Sequence, residues 1–189
     1  SLAKQPGALL IGAHLGSFEV LRAVGRGRAG LKVAMLMYEE NARKINAALE
    51  AINPAATADI IALGRMDSMI EARDKLDHGY LVGMLADRGL GDDATVDYEF
   101  LGKMAPFPVG PFRMAALLRR PVFFMAGLYL GGNRYQIHFE PLADFSETPR
   151  AERDAAMRAA QQRYAERLSH FCRLAPYNWF NFFDFWQKK

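Results

Sequence analysis

Ala8-Leu9-Leu10-Ile11-Gly12-Ala13-His14-Leu15-Gly16-Ser17-Phe18-Glu19 is an apolar run that stops at a histidine, with a carboxylate five residues further on. The run has the length and makeup of a buried strand over 8–13. The residues after it read as a helix over 17–28 with Ser17 as its N-cap. On one continuous helix, positions five apart point about 140° away from each other. His14 and Glu19 therefore meet only if His14 occupies the turn and Glu19 the first helical turn, where side chains lean back toward the N-terminus. A carboxylate there also suits the positive end of the helix dipole. Paired in this way, Glu19 would orient the imidazole and stabilise its protonated form, as a general base that deprotonates a hydroxyl requires.

Outward from this point the strand and helix patterns alternate. A strand over 32–38 precedes a helix over 39–51, a strand over 59–63 precedes a helix over 66–76, and a strand over 80–86 follows. Four short apolar strands separated by helices predict an α/β fold with a largely parallel central sheet and helices on both faces. Ligands in such sheets bind beyond the carboxyl ends of the strands. His14 ends the first strand and Asp87 the fourth. From Asp87 to Pro111 the rhythm breaks: Asp87-Arg88-Gly89, an acidic turn, a strand over 95–101, then the proline-rich Ala105-Pro106-Phe107-Pro108-Val109-Gly110-Pro111. An irregular stretch of that length inside a domain is a functional signal. A helix over 111–119 follows, then strands over 121–130 and 134–140 flanking Gly131-Gly132-Asn133, a hairpin signal. A long amphipathic helix over 149–174 leads into a tail with seven aromatic residues between Tyr177 and Trp186. Asn178, Asn181 and Asp184 alternate with those aromatics, which predicts a tail packed on the core with its polar residues outward. The opposing expectation is an aromatic anchor at a membrane interface.

The chain has 189 residues, enough for one domain with a substantial core, and no repeat or linker divides it. Its single cysteine, Cys172, excludes an intrachain disulfide and a cysteine-based zinc site. A net charge of +3 with scattered arginines and no recognisable motif gives no basis for a nucleic-acid partner. No apolar run reaches the roughly 18 residues of a membrane span. The chain enters its first strand almost at once, from which we expect an N-terminal segment, including an anchor, to be missing. His78, His138 and His170 read as structural: a helix end, a hairpin strand and the long helix.

Taken together, these residues resemble the lysophospholipid acyltransferase superfamily, and within it the branch of bacterial lipid A biosynthesis acyltransferases. His14-Leu15-Gly16-Ser17-Phe18-Glu19 matches the histidine-x4-acid motif in its glutamate variant. Ala86-Asp87-Arg88-Gly89 is similar to the branch's later strand end, Phe107-Pro108-Val109-Gly110 to the superfamily's phenylalanine-proline-x-glycine motif, and the aromatic tail to the branch's ending. The resemblance implies a glycerolipid acyltransferase-like fold. It also implies transfer of a fatty acyl group from an acyl carrier protein or coenzyme A thioester to a hydroxyl or amine of a glycolipid or other amphiphile. His14 would be the base and Glu19 its partner, with Asp87, Arg88, Phe107, Pro108 and Gly110 as substrate contacts and no metal or other cofactor. Either Arg88 or the backbone N–H groups around 107–110 would meet the oxyanion, and Asp87 would orient Arg88 or touch the acceptor.

The expected setting is the cytoplasmic face of a bacterial inner membrane, with the chain peripheral to it. An acidic carrier would fit a basic patch from Arg22, Arg26, Arg28 and Lys32. The sequence departs from the branch after the second strand, where many members carry an arginine that meets a charged substrate group. Here that region reads Met37-Tyr38-Glu39-Glu40-Asn41, with Arg43 displaced, which weakens the case for a phosphorylated sugar acceptor. The alternatives are a non-catalytic lipid-binding module of the same fold and an acyl-thioester hydrolase.

Overall fold

The computed structural model describes residues 7–17, 20, 31–38, 59–64, 67–89 and 93–187. Eight strands are seen among them: β1 (Leu9–Gly12), β2 (Val33–Tyr38), β3 (Asp59–Leu63), β4 (Leu81–Leu85), β5 (Thr95–Phe100), β6 (Lys103–Pro108), β7 (Pro121–Tyr129) and β8 (Tyr135–Asp144). The helices are α1 (Ser68–Asp77), α2 (Gly110–Leu118) and α3 (Arg153–Leu174). The predicted helices over 17–28 and 39–51 lie outside the described residues, apart from Ser17 and Val20.

Six strands form one sheet in the order β3-β2-β4-β1-β7-β8. All neighbours are parallel except β7 and β8, the predicted hairpin, which closes one edge antiparallel. The expected α/β class with a mostly parallel sheet and a long C-terminal helix is what the chain adopts. Leu9, Leu10 and Ile11 of β1 are consecutive and all buried, so both faces of this central strand are covered. That is why an unbroken apolar run, rather than an alternating one, encodes it. On one face Leu9, Ile11, Val82 and Phe124 join Leu76 of α1 and Tyr164, Leu168 and Phe171 of α3 in the main core.

One segment departs from expectation. The proline-rich 105–108 is not irregular but part of β6, which pairs antiparallel with β5 in a separate two-stranded ribbon. Pro106 and Pro108 face Asp97 and Thr95. Sharing one parity, their missing N–H groups fall on the ribbon's open side, where a proline removes no ladder bond. The hairpin turns through Leu101 and Gly102, both at positive φ (53° and 90°), the type I′ form that suits a two-residue loop. Leucine is a costly residue there, and its N–H is held by the Ser169 hydroxyl of α3 at 3.2 Å.

The ribbon is pinned to α3 by the fully buried Gln161, whose side-chain amide donates to the Phe107 and Pro108 carbonyls, each at 3.0 Å. Replacing it with an apolar residue removes both bonds and leaves the Pro108 carbonyl, which points away from β5, without that donor. Gln161→Leu is expected to cost about 1–3 kcal/mol, read as a lower urea midpoint with unchanged slope.

Candidate functional site

The turn after β1 is fixed on two sides by main-chain bonds. The Ser17 N–H donates to the Gly127 carbonyl of β7 at 2.9 Å, and the Gly16 N–H to the Asn178 carbonyl at 2.8 Å. The Phe180 N–H donates to the His14 carbonyl at 2.8 Å. The C-terminal tail thus lies antiparallel beside the His14 turn, with Leu15 opposite Trp179. Gly16 sits at φ +71°, and a Cβ there would stand 2.0 Å from the Gly127 carbonyl oxygen. Only glycine fits this crossing. Ser17 accepts the Val20 N–H on its hydroxyl at 3.3 Å, the N-cap contact expected of it.

His14 and Asp87 meet because β1 and β4 are adjacent and parallel, so their carboxyl ends stand side by side. Both carboxylate oxygens of Asp87 are engaged by His14: Oδ1 by the ring Nδ1 at 2.8 Å and Oδ2 by the main-chain N–H at 3.1 Å. The imidazole is 37% exposed and the carboxylate 2%. A carboxylate only accepts, so Nδ1 carries a proton, and in the neutral tautomer the lone pair is on Nε2. Expected as a contact to Arg88 or to substrate, Asp87 turns instead to His14. Glu19, the partner expected from sequence, lies outside the described residues.

Arg88 follows Asp87 and donates to the Phe180 carbonyl at 2.9 Å, with its guanidinium 5.3 Å from the Phe183 ring centre. Its Nε is buried with no hydrogen-bond partner among the described residues. The phenylalanine-proline-x-glycine segment is less available than its motif suggests. The Phe107 ring is fully buried against Phe100 and Tyr164, and Pro108 has no N–H. The Val109 N–H donates to the Ala94 carbonyl. Gly110 opens α2, which leaves its N–H in a helical first turn where no intrahelical partner exists. Tyr38, where the branch often has arginine, donates its hydroxyl to Asp93 at 3.4 Å. Burial and then the Asp93 charge push that phenol upward from its ordinary value. Of the proposed basic patch, only Lys32 lies among the described residues, and it is exposed.

Tyr164, which the sequence did not single out, and Asn178, expected only as an outward polar residue of the tail, support the pair. Tyr164 of α3, fully buried, donates its hydroxyl to the Gly12 carbonyl at 2.8 Å, two residues before His14. Burial, followed by the charge of Asp87, holds that phenol well above its ordinary value, so it stays a donor. The side chain of Asn178 takes both main-chain groups of Tyr129, accepting its N–H at 2.6 Å and donating to its carbonyl at 3.3 Å. Tyr164 stands on a regular apolar stripe and Asn178 in a tail, so neither position carried a local signal. The other histidines stay apart from His14: His78 caps α1, and His138 and His170 pack on Phe171. Among the described residues, no group of His, Cys, Asp or Glu stands together as a metal site would require.

The family described as bacterial lipid A biosynthesis acyltransferase matches residues 1–188, almost the whole chain. No curated protein matches it.

The field of the Asp87 carboxylate can be tested without any substrate. Burial, and after it the Asp87 charge, pushes the Cys172 thiol from 9.0 up to about 12. With the folded value raised, the contribution to stability is full below pH 9.0 and is lost as pH climbs toward about 12. Followed by the Cβ chemical shift of Cys172 in an alkaline titration, the thiol is expected to ionise at lower pH in Asp87→Asn than in the parent protein. An unchanged titration would show that the charge does not reach it.

Proposed function

The chain belongs to the bacterial lipid A biosynthesis acyltransferase family, and from that premise we propose that His14 and Asp87 form its catalytic pair. Membership makes the protein a lipid A-type acyltransferase that takes an acyl donor and a lipid acceptor. In the proposed reaction, a thioester of acyl carrier protein or coenzyme A gives its fatty acyl group to a hydroxyl or amine of a glycolipid or related amphiphile. The observation that supports it is the hydrogen bond from His14 Nδ1 to Asp87, which in the neutral ring directs the lone pair to Nε2 on a partly exposed imidazole.

Nε2 takes the acceptor's proton as its oxygen or nitrogen attacks the thioester carbonyl. The tetrahedral oxyanion collapses, the carbon–sulfur bond breaks, and the imidazolium returns the proton to the leaving thiolate. Asp87 keeps the ring in the required tautomer and offsets the positive charge on the imidazolium. Glu19 is proposed as a second carboxylate that lowers the cost of that charge. Arg88, whose guanidinium reaches the Phe180 carbonyl beside the His14 turn, is the proposed donor to the oxyanion or to an anionic part of substrate. The Gly110 N–H is the second candidate for the same task, with Phe107 and Pro108 shaping the wall beside it. No step requires a metal or other cofactor. The reaction is proposed to run at the cytoplasmic face of the inner membrane with the chain peripheral to it. No helix among the described residues is long and apolar enough to cross a membrane.

The test is mass-spectrometric detection of acylated lipid when the protein is offered acyl carrier protein and coenzyme A thioesters with a bacterial lipid extract. His14→Ala is expected to lower the rate about 10²–10⁴-fold, with Asp87→Asn close behind and Glu19→Gln weaker. A Glu19→Gln loss as deep as that of His14→Ala, with Asp87→Asn near the parent, would exchange the roles of the two carboxylates. Thioester loss without acylated lipid would mean hydrolysis, and no His14-dependent turnover of either kind would leave a lipid-binding module.

A further inference from the structure

The aromatic tail divides in two, and only half of it matches the core packing expected from sequence. Phe185 is buried, and Trp179 and Trp186 are partly buried around Phe100, where the Trp186 indole donates to the Phe100 carbonyl at 3.2 Å. The rest faces outward: Tyr177 is 96% exposed and Phe182 89%, with Phe183 about half exposed. Of the polar residues expected outward, Asp184 alone is exposed. Asn178 is turned to the Tyr129 backbone and Asn181 is partly covered.

These outward rings continue onto a second element. Ile11 of β1 lies in register with Phe124 of β7, and Gly16 of the His14 turn lies beside Gly127. The next residues of β7 therefore run past the site, and Tyr129, Leu130 and Tyr135 are exposed at the hairpin tip. Tyr129 and Tyr135 are in ring contact at 5.3 Å, and Asn178 ties Tyr129 to the tail. The rim thus runs from the hairpin tip along the tail to Phe183 and Arg88, on the side of the sheet where His14 opens.

The surrounding charge is mostly positive. Arg134 is exposed at the hairpin tip and Arg173 near the end of α3. Among the described residues, the hydrogen bonds of Arg88 and Arg134 go to the Phe180 and Leu130 carbonyls, which do not neutralise a guanidinium charge. Asp184 is the acid in this stretch, and it accepts the Trp186 N–H. Large aromatic side chains standing singly on a hairpin tip and an irregular tail, ringed by arginines, suit an interface that is apolar below and anionic above. They make a poor match to a flat protein surface.

We propose that this rim, formed by the β7–β8 tip and residues 177–183, inserts into an anionic phospholipid surface and seats the His14 opening against it. The proposal rests on the acyl-transfer reading for its purpose, since a lipid acceptor must reach Nε2, but its test does not depend on turnover. Purified protein is floated with phosphatidylglycerol-containing vesicles and, separately, with phosphatidylcholine vesicles. Phe182→Ser, whose side chain is almost fully exposed and whose unfolding curve should match the parent's, is expected to weaken partitioning about tenfold. Arg134→Gln should weaken it about fivefold on the anionic vesicles alone. His14→Ala should bind vesicles as the parent does while losing turnover, so failure of the chemistry and failure of the surface are read separately. Parent-like binding by Phe182→Ser overturns the proposal. So does a parent protein that ignores vesicles and sediments as a dimer broken by Phe182→Ser, which would assign the rim to a second copy of the chain.

Discussion

A carboxylate as buried as Asp87 has to be met by donors, and much of the geometry around the site serves that need. Among the described residues they come from His14, through its ring and its main chain. That double contact requires the ends of β1 and β4 to be level, which their parallel register provides. It also requires the turn after β1 to hold one conformation, which Gly16, the Gly127 carbonyl and the tail enforce. Burial, and after it this charge, holds the Tyr164 phenol and the Cys172 thiol toward their protonated forms. The His14 imidazole is therefore oriented from its inner side by a buried carboxylate.

The second organising element is aromatic. Phe100 and Phe107 of the ribbon, Tyr164 of α3, and Trp179 and Phe185 of the tail form one connected set of ring contacts. The ribbon thereby covers what would otherwise be an open end of the core, and the tail is anchored by some of its rings while others stay outside. Tyr164 joins the two organising elements: its ring is in the cluster and its hydroxyl is on Gly12. A shift of α3 would be transmitted to the backbone that carries His14.

The parallel strands were legible because a run buried on both faces must be apolar throughout, as β1 is. His14 and Asp87 were legible as strand-end residues, but their bond was not. It depends on β4 lying next to β1, an order in space that no periodicity encodes. The proline-rich β6 was misread because proline argues against a strand only where its missing N–H would have faced a partner. The tail was read as one thing because alternation assumes a regular strand. It follows an irregular path, in which Asn178 faces the hairpin backbone and Phe182 faces out. Tyr164 stood unnoticed among the apolar residues of α3, since a tyrosine in a helical core stripe has no local mark of a special partner.

The bond from Phe180 to His14 joins residues far apart in the sequence. A ribosome releases the strand before His14 long before it makes Phe180, so this side of the turn stays open until the tail has emerged and folded back. This closure has high contact order and is entropically costly, and it comes after the local helices and the hairpin can form. The histidine turn stays incomplete until Asn178 and Phe180 have folded back against it, which ties an ordered His14 to the arrival of the tail.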